Sequence, residues 1–137
     1  MATPTEGVEA ALAKLPDDVK TKLSRLSQEY EIKIREYEST TIQLRSMESE
    51  KASVERALQR LEKLPDDVRI YENLELVLVE VKKDEAKANL LDRKEFLKLN
   101  ISKLKKQAEE ILKEARRIDS EIREILSAYG LSRGESG

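Results

Sequence analysis

The sequence contains no cysteine, no histidine and no tryptophan, and it has a single phenylalanine. Without cysteine there is no disulfide and no thiol nucleophile. Without histidine the usual general base near neutral pH is missing, and zinc sites of the Cys/His type go with it. Enzymatic chemistry would have to rest on carboxylates, lysine, tyrosine or serine, and no constellation of these stands out. No Gly-rich phosphate loop is present, so ATP use is not expected, and neither is any other cofactor or metal. Aromatic residues make up 4% of the 137 residues, too few rings to fill a compact globular core. No stretch approaches the about 18 consecutive apolar residues of a membrane span. The opening "MATPTEGVEA" has neither a basic segment nor an apolar one. The expectation is a soluble, cytoplasmic protein, and the lack of cysteine agrees with a reducing compartment.

Charge of one sign is also lacking, because 26 basic and 28 acidic residues leave a net charge of -2. They are interspersed, so no basic field exists to attract nucleic acid or an anionic membrane. "KLKK" at Lys103 to Lys106 and "EARR" at Glu114 to Arg117 lie among glutamates at helical spacing and read as solvent-exposed ion pairs.

What is present is helical pattern. The breakers sit at Pro4, Gly7, Pro16, Pro65, Gly130, Gly134 and Gly137, leaving two long uninterrupted stretches. In the first, steps of seven give Leu23, Tyr30, Tyr37, Leu44, Lys51 and Leu58, with a companion series Val19, Leu26, Lys33, Thr40, Met47, Val54 and Leu61. In the second they give Leu90, Leu97, Leu104, Ile111, Ile118 and Ile125, with Lys94, Ile101, Ala108, Ala115, Ile122 and Tyr129. These are the seam positions of two coiled-coil helices. Each spans about 45 residues, or roughly 65 Å at about 1.5 Å per residue. Matching lengths predict that they pair with each other, antiparallel. A register in which paired positions sum to 148 places seam against seam throughout: Leu58 faces Leu90, Tyr30 faces Ile118, and Lys33 meets the small Ala115.

The connector differs from both helices. "DVRIYENLELVLVEVKK" alternates with period two, Val77, Val79 and Val81 pointing one way and Leu76, Leu78 and Glu80 the other. It predicts a β-hairpin turning near Asn73 to Glu75, with a buried helical continuation as the alternative. The turn lacks an Asn-Gly or Asp-Gly pair. An isolated two-stranded hairpin is marginal in water, and this one shows apolar residues on both faces. The sequence therefore predicts an oligomer assembled through hairpins, by Ile70, Tyr71, Leu76, Val77, Leu78, Val79 and Val81.

"KLPDDV" occurs twice, at Lys14 to Val19 and Lys63 to Val68. At the first copy Pro16 and two acids start a helix; at the second Leu64-Pro65 stop it and Asp66-Asp67 turn the chain. The paired aspartates are better explained by helix dipole and turn preferences than by metal binding or acid/base work.

On these residues the chain resembles the β-class subunit of prefoldin, a co-chaperone of archaea and eukaryotes. The resemblance rests on the Leu-Pro turn at Leu64-Pro65, the Ile70-Tyr71 pair in the first strand, the Leu/Val strand from Leu76 to Lys83, and the Glu85-Ala86 opening of the next helix. It covers roughly Leu15 to Ile125, and one hairpin rather than two departs from the α class. Family members commonly carry Val-Gly near the turn, where this sequence has Asn73-Leu74-Glu75, which leaves a principal β subunit and a divergent paralogue both open.

The resemblance implies a mainly α fold with one prefoldin-like domain. Its parts are an N-terminal extension over 1–15, helix over 16–63, hairpin over 64–84, helix over 85–129 and a tail over 130–137. It further implies a hexamer of two α and four β subunits. Such a hexamer holds unfolded proteins at its coiled-coil tips, without ATP, and delivers them to a group II chaperonin. Val8, Leu12, Leu15, Val19, Leu126, Tyr129 and Leu131 are the apolar residues near the helix ends expected to face clients; capping of the coiled coil is the equal alternative. The other function class open to the sequence is a structural adaptor docking its hairpin onto one ribosomal or transcriptional complex.

Overall fold

The computed structural model describes Ala10 and residues 12–131. Two α-helices, α1 (Asp17–Glu62) and α2 (Lys83–Ala128), flank an antiparallel hairpin of β1 (Ile70–Leu74) and β2 (Val77–Val81). The chain divides into two compact units, one of residues 1–39 and 108–137 and one of residues 40–107.

Local signals set the helix ends. The Pro16 carbonyl accepts the first helical bond, from Lys20 N at 3.0 Å, and Asp17 and Asp18 occupy the first turn, where the dipole favours acids. At the other end of α1, Lys63 N and Leu64 N donate to the carbonyls of Arg60 and Leu61, tightening the last turn before Pro65. Val68 N then closes a turn on the Pro65 carbonyl at 3.2 Å. Helix α2 ends in a Schellman motif: Leu131 N reaches Leu126 O at 2.7 Å, Gly130 N reaches Ser127 O at 3.0 Å, and Gly130 takes φ 74°.

In the first unit Leu26, Ile118 and Ile122 are buried together, with Leu23, Tyr30, Ile125 and Leu126 packed around them. Leu26 with Ile122, Tyr30 with Ile118 and Leu23 with Ile125 are the pairs the 148 register places face to face. Ala115 is 1% exposed and Lys33 is half-buried, its ammonium meeting Glu36 at 3.3 Å.

In the second unit Val54, the fully buried Leu97 and Ile101 form the core, with Leu44, Met47, Leu58 and Leu90 around them. Burying such a side chain is worth about 1.5–3 kcal/mol. Three ion pairs cross this seam, Glu62 with Lys87, Glu50 with Arg93 and Glu48 with Lys105. Their position sums are 149, 143 and 153, so they straddle the same register from its flanks.

The strands pair Ile70 with Val81, Tyr71 with Glu80, Glu72 with Val79, Asn73 with Leu78 and Leu74 with Val77. The two-residue turn is therefore Glu75-Leu76, later than the Asn73 to Glu75 expected from sequence. A two-residue turn at Asn73-Leu74 would set Glu72 directly against Glu75, and like charges opposite each other destabilise a sheet. The pairing places apolar residues on both faces, as expected, but unequally. Ile70, Leu74, Val77, Val79 and Val81 share one face, interrupted only by Glu72, whereas the other alternates Tyr71 and Leu78 with Asn73 and Glu80.

Candidate functional site

The hairpin is held to its own unit by polar ties that the hydrophobic pattern does not reveal. Lys83 Nζ donates to the Leu64 carbonyl at 2.7 Å and to Asp66 Oδ1 at 3.3 Å, closing the connector at its base. Its side chain is only 14% exposed. Lysine in the first position of a helix opposes the dipole, and that mismatch is the one sequence signal for this role. Asn89 Nδ2 donates to Glu72 Oε1 at 2.7 Å, so the single acid on the apolar face has a partner on α2.

Thus anchored, the hairpin presents an apolar surface that nothing in the described chain covers. Leu76 is 97% exposed, Leu78 68%, Val77 57% and Tyr71 52%. Ile70 and Val81, at the base, are half-buried. Every residue named for assembly thus lies on the hairpin or its turn, and the turn residue Leu76 is the most exposed of them.

A groove of about 580 Å³ opens beside the base, between the last turns of α1, the start of β1 and the first turns of α2. Ala57, Leu61, Leu64, Ile70 and Leu90 make it apolar, while Arg56 and Arg60 stand on its α1 side. Sequence reading missed it, because its residues come from three elements and none belongs to a motif.

The second candidate surface lies in the other unit. Leu15 is 7% exposed and Tyr129 47%, while Leu12, Val19, Leu126 and Leu131 are half-buried. Leu126 packs against the Leu26 cluster. Val8 lies outside the described residues. The set therefore divides, with Leu15 and Leu126 serving the packing and Tyr129 offering its ring to solvent.

The strongest electrostatic effects fall on exposed pairs. Hydrogen bonds from Arg93 and Lys87 hold the Glu50 and Glu62 carboxyls below the ordinary 4.5, and a hydrogen bond from Arg117 does the same for Glu114. These arrangements stabilise helices and offer no general acid or base poised near neutral pH. Among the described residues no helix is long and apolar enough to cross a membrane.

Comparison with known proteins agrees with this architecture. Residues 28–129 match the family described as prefoldin subunit. The prefoldin subunit beta of Pyrobaculum neutrophilum is 32% identical over 90% of this chain and 92% of its own length. That of Caldivirga maquilingensis is 29% identical over 84% of this chain and 92% of its own. The crystal structure of the prefoldin beta subunit from Thermococcus strain KS-1 shares the fold, with a TM-score of 0.69 over 82% of this chain and 96% of that one, at 24% identity. Two helices joined by a single hairpin, together with these matches, place the chain in the prefoldin subunit family on its β side, as a structural co-chaperone subunit and not an enzyme.

Proposed function

We propose that this chain is one of four β subunits in a hexamer with two α-class subunits, joined through its hairpin, which holds unfolded proteins and passes them to a group II chaperonin. The observation that carries the assembly half is the exposed apolar surface of the hairpin, with Val79 at 39%, Leu74 at 55% and Val77 at 57% on one face and Leu76 at 97% in the turn. A monomer gains nothing from keeping such residues in water, and a sheet edge left unpaired recruits other strands. The client half rests on family membership and on the apolar residues at the helix ends, of which Tyr129 is the most accessible among the described residues. Binding there needs neither nucleotide nor metal, since non-native chains are recognised by apolar area on adaptable surfaces. The work takes place in the cytoplasm, on clients that expose core residues.

The test is suppression of aggregation of an unrelated, chemically denatured protein by the chain assembled with an α-class subunit. The assembled wild type is expected to keep the client in solution. Leu12→Asp combined with Tyr129→Asp is expected to lose most of that effect with the native mass unchanged. Full suppression by the double variant would remove these residues from the client surface. No suppression by the wild type, together with capture of one particular complex, would replace the chaperone reading with an adaptor.

A further inference from the structure

The tip of the hairpin and the groove beside its base are chemically complementary. Glu75 holds φ 55° although it is not glycine, a left-handed conformation that costs a residue with a side chain roughly 1–2 kcal/mol. Strain of this kind persists where the surroundings or a function demand it. Leu76 beside it is, among the described residues, the most exposed large hydrophobic one at 97%, and Leu74 on the other side is 55% exposed. The turn thus projects a carboxylate between two leucines, and among the described residues that carboxylate has no ion pair.

The groove offers the converse. Its floor is apolar, Arg56 and Arg60 stand one helical turn apart beside it, and Glu72, the one acid of its lining, is tied to Asn89 Nδ2 at 2.7 Å, which leaves the two arginines as the net charge. Arg56 donates to the neutral Ser53 Oγ at 3.0 Å. The Arg60 guanidinium has no partner among the described residues. A five-residue strand rising about 3.3 Å per residue keeps the tip roughly 15–20 Å from Ile70, so it cannot fold back into its own groove.

We propose that the groove receives the Leu74-Glu75-Leu76 tip of a second copy of this chain, with Leu76 entering the apolar hollow and Glu75 lying against Arg56 and Arg60. The inference rests on the reading of the hairpin as the assembly element. It adds a contact made by the turn rather than by the strand faces. The same chain carries both halves, so two copies can exchange tips reciprocally or pass them head to tail. An unfolded client, by contrast, has no fixed charge to set against the two arginines.

Self-association of the full chain, followed by sedimentation equilibrium, tests this by charge exchange. Glu75→Lys alone and Arg56→Glu with Arg60→Glu are each expected to weaken self-association at least about tenfold, because a desolvated pair of like charges opposes docking. An equimolar mixture of the two variants is expected to return to within about threefold of wild type, since each tip then meets a groove of opposite sign. Glu75→Gly, which relieves the backbone and deletes the carboxylate, is expected to weaken association as well. Wild-type association by any of these variants, or no recovery on mixing, would overturn the proposal. So would variants that lose only the α-class partner and not each other. If Val79→Asp leaves the native mass unchanged, the assembly reading itself falls; if it dissociates the chain while tip and groove variants do not, only this contact falls.

Discussion

The two units solve the same packing problem with opposite remainders. In the unit of residues 1–39 and 108–137, helix faces helix, and the apolar seam from Leu23 to Tyr30 is matched by Ile118 to Leu126. In the unit of residues 40–107 the seam around Leu97 is equally well filled. There the hairpin adds five-residue strands whose apolar face the helices leave largely open. Seam residues are spent on holding the subunit together, and hairpin residues remain available to hold it to something else. Stability and association should therefore respond to different substitutions.

The largest separation should come from Val79→Asp. It places a charge on the apolar face and is expected to abolish the oligomer, read as native mass, with the helical circular dichroism nearly unchanged. Unchanged mass would show that the hairpin does not assemble the protein. Next comes the seam. In the Val79→Asp background, where association no longer contributes to stability, Leu97→Ala should cost about 2–5 kcal/mol in urea unfolding. Leu26→Ala, in the other unit, should cost a similar amount. With the hairpin intact, neither should prevent assembly at temperatures where the variant stays folded.

Smaller effects sharpen the comparison within the second unit. In the same Val79→Asp background, where association no longer contributes, Glu75→Gly should protect the β2 amides more strongly against hydrogen exchange, by a few tenths to about 1 kcal/mol, because relief of the left-handed strain exceeds the entropy glycine adds. Faster exchange would mean that the turn is not strained.

Acid should have the smallest effect. Folding depresses the Glu50, Glu62 and Glu114 carboxyls below 4.5. Their contribution is thus present above that pH and is lost as the pH falls through the lowered folded values. Exposed pairs are screened and individually weak, so the loss should be slight and should shrink in high salt. Glu50 and Glu62 tie α1 to α2, whereas Glu114 pairs with Arg117 on its own helix, so the change should appear first in the unit of residues 40–107. A transition of equal size in 1 M salt would point to another titrating group.

The fold was open to reading because heptad spacing and period-two alternation are sequence-local, and the 148 register needed only arithmetic on Leu23 to Leu61 and Leu90 to Tyr129. Pro16, Pro65 and Gly130 marked helix ends because each acts on its own backbone. The turn was misplaced by a residue or two because Glu75 carries a conformation that sequence assigns to glycine or asparagine. Only the pairing of Leu74 with Val77 reveals it. The Lys83 tie and the groove of Arg56 and Arg60 were invisible for another reason. The first joins a side chain to a carbonyl 19 residues away and the second gathers residues from three elements, and contacts at that range have no period.

The constant position sum also governs how such a chain can change its length. A single residue added to α1 rotates everything beyond it by about 100°, and three or four residues leave a stutter in the seam. Seven residues added to α1 and seven to α2 at the matching point leave every layer facing its partner. The helices can therefore lengthen or shorten over evolutionary time only in matched sevens, and related chains of different helix length should carry their insertions and deletions in facing pairs, with the hairpin untouched.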